Sequence, residues 1–225
     1  MGGGGTRHHL IGLGTFGTRA ARSLAGRGTL FLVDPEPGRA AALAEELVGA
    51  RVEEVAADGV AWVADLLPQG DRREEVIVPT LPLHLAARVL LELPGCRRGT
   101  WPAPPPFPGR RPGAQGDYYS TLAPGLCPAD CPGPDGPGGC RHGDRRGPGT
   151  LSRRLAATGL PGLRHLVIES RQLAPGTGGF LLGDLQDAAE RIRSADRERF
   201  IVTTASACHA VSTVVVKGGG GLSAD

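Results

Sequence analysis

The stretch His8-His9-Leu10-Ile11-Gly12-Leu13-Gly14-Thr15-Phe16-Gly17 decides the reading of this 225-residue chain: an apolar run enters a glycine turn there and an amphipathic run leaves it. The glycines fit G-x-G-x-x-G, in which each has its own task. Gly12 permits the tight turn, Gly14 lets a pyrophosphate approach the backbone, and Gly17 lets helix and strand pack closely. Leu13, Thr15 and Phe16 complete a loop whose N–H groups open a helix, where the dipole favours an anion. A second apolar run, Thr29-Leu30-Phe31-Leu32-Val33-Asp34, ends on an acid 22 residues after Gly12. An acid at that distance accepts hydrogen bonds from an adenosine ribose. The pattern therefore points to NAD rather than NADP, whose 2′-phosphate would meet a carboxylate. With 36 glycines in the chain, a fold that keeps these three for packing alone stands as the alternative.

Outward from this stretch, helical and strand-like runs alternate. Thr15 to Ala25 carries Phe16, Ala20 and Leu24 on one side, and Gly38 to Leu47 carries Ala40, Leu43 and Leu47 inward. Arg51 to Ala56 reads as a strand ending just before Asp58, Val60 to Leu67 as a helix, Glu75 to Val78 as a strand, and Pro82 to Leu93 as a helix. Such alternation demands a parallel sheet with crossover helices, so residues 7–94 form the expected dinucleotide-binding unit. Residues 8–93 resemble the TrkA-N or RCK-type NAD-binding domain of potassium-transport regulators. The resemblance rests on Gly12 through Gly17, on Asp34 closing the second strand, and on Asp58 after the third. It implies a Rossmann fold, bound NAD, and a place for Asp58 near the adenine.

From residue 95 to 150 the character changes. Residues 101–150 hold 12 of the 20 prolines and 11 glycines, which argues against helix or central strand and for an irregular Pro/Gly/Cys-rich insertion. Its first part, Thr100 to Gly116, reads as a pliable linker. Over 151–217 the pattern returns: a strand at Leu163–Ile168, a loop at Ser170–Gly179, an amphipathic helix at Phe180–Arg193, and strands at Phe200–Thr204 and Val211–Val216. The expected fold class is α/β: a Rossmann-like parallel sheet with a loop insertion and a C-terminal βαβ unit extending the sheet. A separate small C-terminal domain is the alternative.

Cys127, Cys131 and Cys140 lie in the insertion, and Cys208 follows the strand Phe200–Thr204. Four thiolates suit tetrahedral zinc or an iron–sulfur cluster, and a loop poor in structure gains order by closing on a metal. The spacing C-x3-C-x8-C is neither the paired C-x2-C of zinc ribbons nor the ferredoxin run. Ligands of open α/β sheets bind beyond the carboxyl ends of the strands, which puts Cys208 near the mouth of the nucleotide site. Two further readings stand beside the metal: incidental thiols in a disordered loop, and a redox dithiol of Cys127 with Cys131. His142 and His209 can replace a thiolate as ligands, and His84, at the ligand edge, is a candidate acid or base. Arg171, in a glycine-rich loop lacking the Lys-Ser/Thr ending of a P-loop, is a candidate contact for phosphate or carboxylate.

A net charge of +2 offers no footprint for nucleic acid or an anionic membrane, and no apolar run approaches the ~20 residues of a membrane span. The expected compartment is the cytoplasm. Two functions remain. The first is an NAD(P)-linked oxidoreductase with a cysteine-ligated metal near the nucleotide, acting on a small molecule or a protein redox partner. The second is a non-catalytic nucleotide sensor, as the resemblance implies, a reading that a stable homo-oligomer would favour.

Overall fold

The computed structural model describes residues 5–124, 127–128, 130–133, 140 and 150–218. The first half runs β1 (Arg7–Ile11), α1 (Thr15–Leu24), β2 (Thr29–Asp34), α2 (Pro37–Glu46), β3 (Arg51–Ala56), α3 (Gly59–Leu66), a 3-10 turn at Gly70–Arg72, β4 (Val76–Pro79) and α4 (Leu85–Leu91). The second half runs β5 (Cys96–Arg98), β6 (Arg111–Pro112), β7 (Tyr118–Thr121), α5 (Leu151–Ala156), β8 (Arg164–Glu169), β9 (Arg171–Ala174), β10 (Thr177–Leu181), α6 (Leu182–Arg193), β11 (Arg199–Ala205) and β12 (His209–Lys217).

Two mixed sheets result. In the first, β3, β2, β1 and β4 lie parallel in that order, and β10 and β9 continue it antiparallel. The second has the order β6-β7-β12-β11-β8, with β5 also paired to β12; only β8 and β11 are parallel in it. β1, β2 and β4 read as nearly continuous apolar runs because both faces of their sheet are covered. Leu10, Leu30, Leu32 and Val78 pack with Ala20, Ala21 and Leu24 of α1 and Leu43 of α2. On the other face, Ile11, Val33 and Ile77 pack with α3, α4 and α6, and the same cluster takes in Leu166, Ile168, Phe200, Val202 and Val215 of the second sheet. Three helices thus form a middle layer between two sheets. α5 covers the far face of the second sheet through Leu151 and Leu155, beside Phe107 and Ala205.

Three sequence expectations are corrected. The strands at 164–169 and 199–205 do not extend the first sheet but build a second one. What extends the first sheet is the β9–β10 hairpin, read from sequence as a loop. Its Gly178 and Gly179 have low strand propensity, yet a Cβ at Gly179 would lie 2.8 Å from the Ile77 carbonyl oxygen, so close pairing with β4 uses the missing side chain. Helix α6 accordingly starts at Leu182, after the strand has used Phe180 and Leu181. Nor is 95–150 a wholly irregular insertion, since β5, β6 and β7 join the second sheet. Phe107, only 3% exposed, is stacked on His165 with ring centroids 5.6 Å apart and meets Trp101 edge-on, so this part is packed rather than a pliable linker.

At the amino ends of the first sheet's strands, His9 stacks on Phe31 and lies 2.6 Å from Glu75. Trp62 donates its indole N–H to His9 Nδ1 at 3.1 Å, so Nε2 carries the proton that His9 gives to Glu75. Arg7 and Arg72 close the Glu75 carboxylate from two sides. This is a structural network at the edge away from the glycine turn.

Candidate functional site

The glycine loop lies between the carboxyl end of β1 and α1. Gly12 holds φ +92°, and its N–H donates to the Val33 carbonyl at 2.8 Å. A Cβ at Gly17 would fall 1.9 Å from the Gly12 carbonyl oxygen, so this glycine sets how closely α1 approaches β1. Gly14 is different. It is exposed, holds φ −68°, and a Cβ added there meets nothing within 4 Å. It is the N-cap of α1, no side chain caps that helix, and no acid sits in its first turn. An uncapped helix start facing open space is the backbone arrangement that receives a phosphate. The Thr80 hydroxyl fastens the loop from β4 by donating to the Ile11 and Gly12 carbonyls, a contact no sequence motif announces.

A cleft of about 510 Å³ opens here. Gly14, Thr15 and Phe16 form one wall, the β4–α4 connection from Val78 to Pro82 the floor, and the hairpin tip Gly176–Gly178 the other wall. Phe16 is 60% exposed, with the Arg19 guanidinium 5.2 Å from its ring centroid. Among the described residues, none that lines the cleft is ionisable.

The two acids of the motif serve the backbone. Asp34, 3% exposed, accepts the Leu13 N–H at 2.8 Å and the Glu36 N–H at 3.0 Å, with Arg39 3.9 Å away. Each of its oxygens keeps a lone pair beyond these two hydrogen bonds, but the carboxylate is buried. Asp58 is the N-cap of α3, its Oδ1 accepting the N–H groups of Val60 and Ala61. Replacing Asp34 with Ala strands two backbone donors, at roughly 1–3 kcal/mol for each buried group left unpaired. Urea unfolding of Asp34→Ala is expected to show that loss, and an unchanged midpoint would contradict the geometry.

His84 does not face the cleft. It lies 3% exposed between α4 and the second sheet, 2.7 Å from Thr213 Oγ1 and 3.0 Å from Thr204 Oγ1. Thr213 donates to Asp117, which also accepts from Arg98 at 2.6 Å. Thr213 therefore accepts from His84 Nδ1, and the neutral ring accepts from Thr204 at Nε2. Burial pushes the His84 pKa down to about 4, opposed by Asp117 and assisted by Arg98. Since the folded pKa lies below the 6.5 of an ordinary histidine, the native state binds fewer protons than the unfolded chain. The stabilisation is complete above about pH 6.5 and is lost as pH falls toward 4, on the order of 3 kcal/mol in all. Between pH 7 and 4.5, the unfolding free energy of the parent is expected to fall more steeply than that of His84→Gln. Parallel slopes would refute this.

Cys131 and the cysteines around it lie beside the β9–β10 hairpin and do not line the cleft. His209 Nε2 lies 3.4 Å from Cys127 Sγ, and Cys127 is hydrogen-bonded to Cys131. Burial first, and then the charges of Cys131, Cys140 and Cys208, push the Cys127 thiol up. As the side chains stand, no three His, Cys, Asp or Glu among the described residues are drawn together tightly enough to hold a metal. Cys96 sits apart on β5. His142 lies outside the described residues. Arg171 is exposed at the start of β9 and does not line the cleft.

Among the described residues no helix is long and apolar enough to cross a membrane. Residues 100–217 match the model of a protein family described as AF_1314_C: Uncharacterized protein, C-terminal domain. The matched stretch contains the second sheet from β6 onward, the cysteines from Cys127 to Cys208, and the hairpin that joins the first sheet. No curated protein and no solved structure matches the chain.

Proposed function

The chain belongs to the AF_1314_C family, and we propose that its first half is a dinucleotide-binding unit working as a sensor: NAD(H) in the glycine-loop cleft biases the conformation of the second half. The observation that carries this reading is the open Gly14 N-cap at a cleft walled on one side by the glycine loop and on the other by a hairpin from the second half. A ligand bridging the two walls has different contacts in open and closed arrangements, which is what a population shift requires. The parallel order β3-β2-β1-β4 with α1 leaving the glycine turn supports a Rossmann reading, and with Asp34 and Asp58 it supports kinship with the TrkA-N or RCK type.

Sensing is favoured over oxidoreductase chemistry by the lining of the cleft. Hydride transfer to or from a carbonyl carbon needs a partner for the hydroxyl proton, and among the described residues no ionisable side chain lines this space. His84, the sequence candidate, is buried in a threonine–aspartate relay.

Calorimetric titration of the full chain with NADH, NAD⁺, NADPH and ATP tests the reading. Binding of NAD(H) with a Kd on the order of micromolar, weaker binding of NADPH, and no change in NADH absorbance with time are expected. Failure of every adenine nucleotide to bind would overturn it, and steady NADH oxidation would restore the redox reading.

A further inference from the structure

The thiol group lies outside the nucleotide cleft, and the backbone brings it together. Thr121 at the end of β7 pairs with His209 at the start of β12, and the ladder continues as the Leu122 N–H donates to the Cys208 carbonyl at 2.9 Å. The chain reaching Cys127 therefore leaves from beside Cys208 and His209. A turn closed by the Cys131 N–H on the Pro128 carbonyl at 3.1 Å folds Cys131 back onto Cys127. Cys131, Cys140 and Cys208 thus stand around Cys127, and four thiols are a donor set that suits a tetrahedral zinc ion.

We propose that Cys127, Cys131, Cys140 and Cys208 close on one zinc ion as a structural tetrathiolate site, and that this site holds the hairpin wall of the nucleotide cleft in place. Each thiol releases its proton to solvent as its sulfur becomes a ligand, which makes the metal's affinity rise with pH. His209, within hydrogen-bond reach of Cys127 Sγ, is the outer partner that orients that ligand. The link to the cleft is the Cys131 carbonyl. It accepts the Gly176 N–H at 2.9 Å and the Gln172 amide at 3.1 Å, and Gly176 lines the cleft opposite Gly14. Fixing Cys131 fixes the hairpin tip. This second half of the inference rests on the dinucleotide reading, whereas the first does not.

The test is metal analysis of the full chain purified under reducing conditions, with Cys127→Ser, Cys208→Ser and Cys96→Ser beside it. About one zinc per chain in the parent and in Cys96→Ser, and loss of most of it in the other two, is the expected result. No stoichiometric metal in the parent, or iron with labile sulfide instead, would overturn the zinc site. Because a serine variant can simply fail to fold, the parent is also loaded with Co²⁺ after chelation. Intense sulfur-to-cobalt absorption with tetrahedral d–d bands is expected, and octahedral cobalt without it would overturn four-thiolate ligation. NADH titration of zinc-loaded and zinc-stripped parent reads the coupling. A loss of about tenfold in affinity on stripping is expected, and equal affinities would overturn the coupling while leaving the zinc site standing. Zinc present with no NADH binding in either form would instead mark failure of the dinucleotide reading.

Discussion

Gly14→Asp is expected to abolish dinucleotide binding and leave the fold as stable as the parent. The position tolerates a side chain: φ is −68°, the residue is exposed, and an added Cβ meets nothing within 4 Å. Aspartate is also a better N-cap than glycine, so α1 gains rather than loses. The carboxylate nevertheless occupies the space at the helix start where a pyrophosphate would sit. Two like charges about 4 Å apart at an effective dielectric near 20 repel by roughly 4 kcal/mol, which corresponds to a loss on the order of 10²–10³-fold in affinity. Titration with NADH alongside urea unfolding reads both halves. Unchanged binding would sink the glycine-loop site, and lost binding with lost stability would show that Gly14 serves the fold instead.

Gly17→Ala, three residues along, is expected to do the opposite. In an ordinary helix interior, Gly→Ala stabilises by up to about 1 kcal/mol. Here the new methyl group falls 1.9 Å from the Gly12 carbonyl oxygen and 2.9 Å from its carbon, both backbone atoms on a residue already held at φ +92°. Neither can move without opening the β1–α1 turn. The clash therefore outweighs the gain in propensity, and a destabilisation of about 3 kcal/mol or more is expected. Urea unfolding of the variant measures it; a midpoint at or above the parent's would mean that helix and strand are not in contact at Gly17. Together the two variants separate the phosphate-facing glycine from the packing glycine of one motif.

The four parallel strands of the first sheet were legible because their cues are local. Apolar runs at Leu10–Ile11 and Leu30–Val33, the glycine turn, and the helical spacing of Ala20 with Leu24 all act within one or two turns of chain. β3 spans Arg51–Ala56, the residues its pattern marks. Asp34 and Asp58 could be located from sequence, but not the backbone N–H groups each would serve, since those depend on how the loops close. His84 was misplaced for a related reason. Its position at the start of α4 was readable, whereas the direction of its ring depends on Thr204 and Thr213, which arrive from strands far along the chain.

What the sequence determined by itself is an α/β chain whose first half turns on Gly12, Gly14 and Gly17, with thiols concentrated in its second half. Only the tertiary structure decided which sheet each later strand joins. Leu166, Ile168, Phe200 and Val202 would suit any sheet with two covered faces, and strand partners are chosen by hydrogen bonds across long separations. Only the tertiary structure, likewise, brought His209 to Cys127 across 82 residues and set the hairpin tip of the second half against the glycine loop of the first. Local sequence specifies backbone conformation; the burial of a shared helical layer between two sheets selects which distant segments meet.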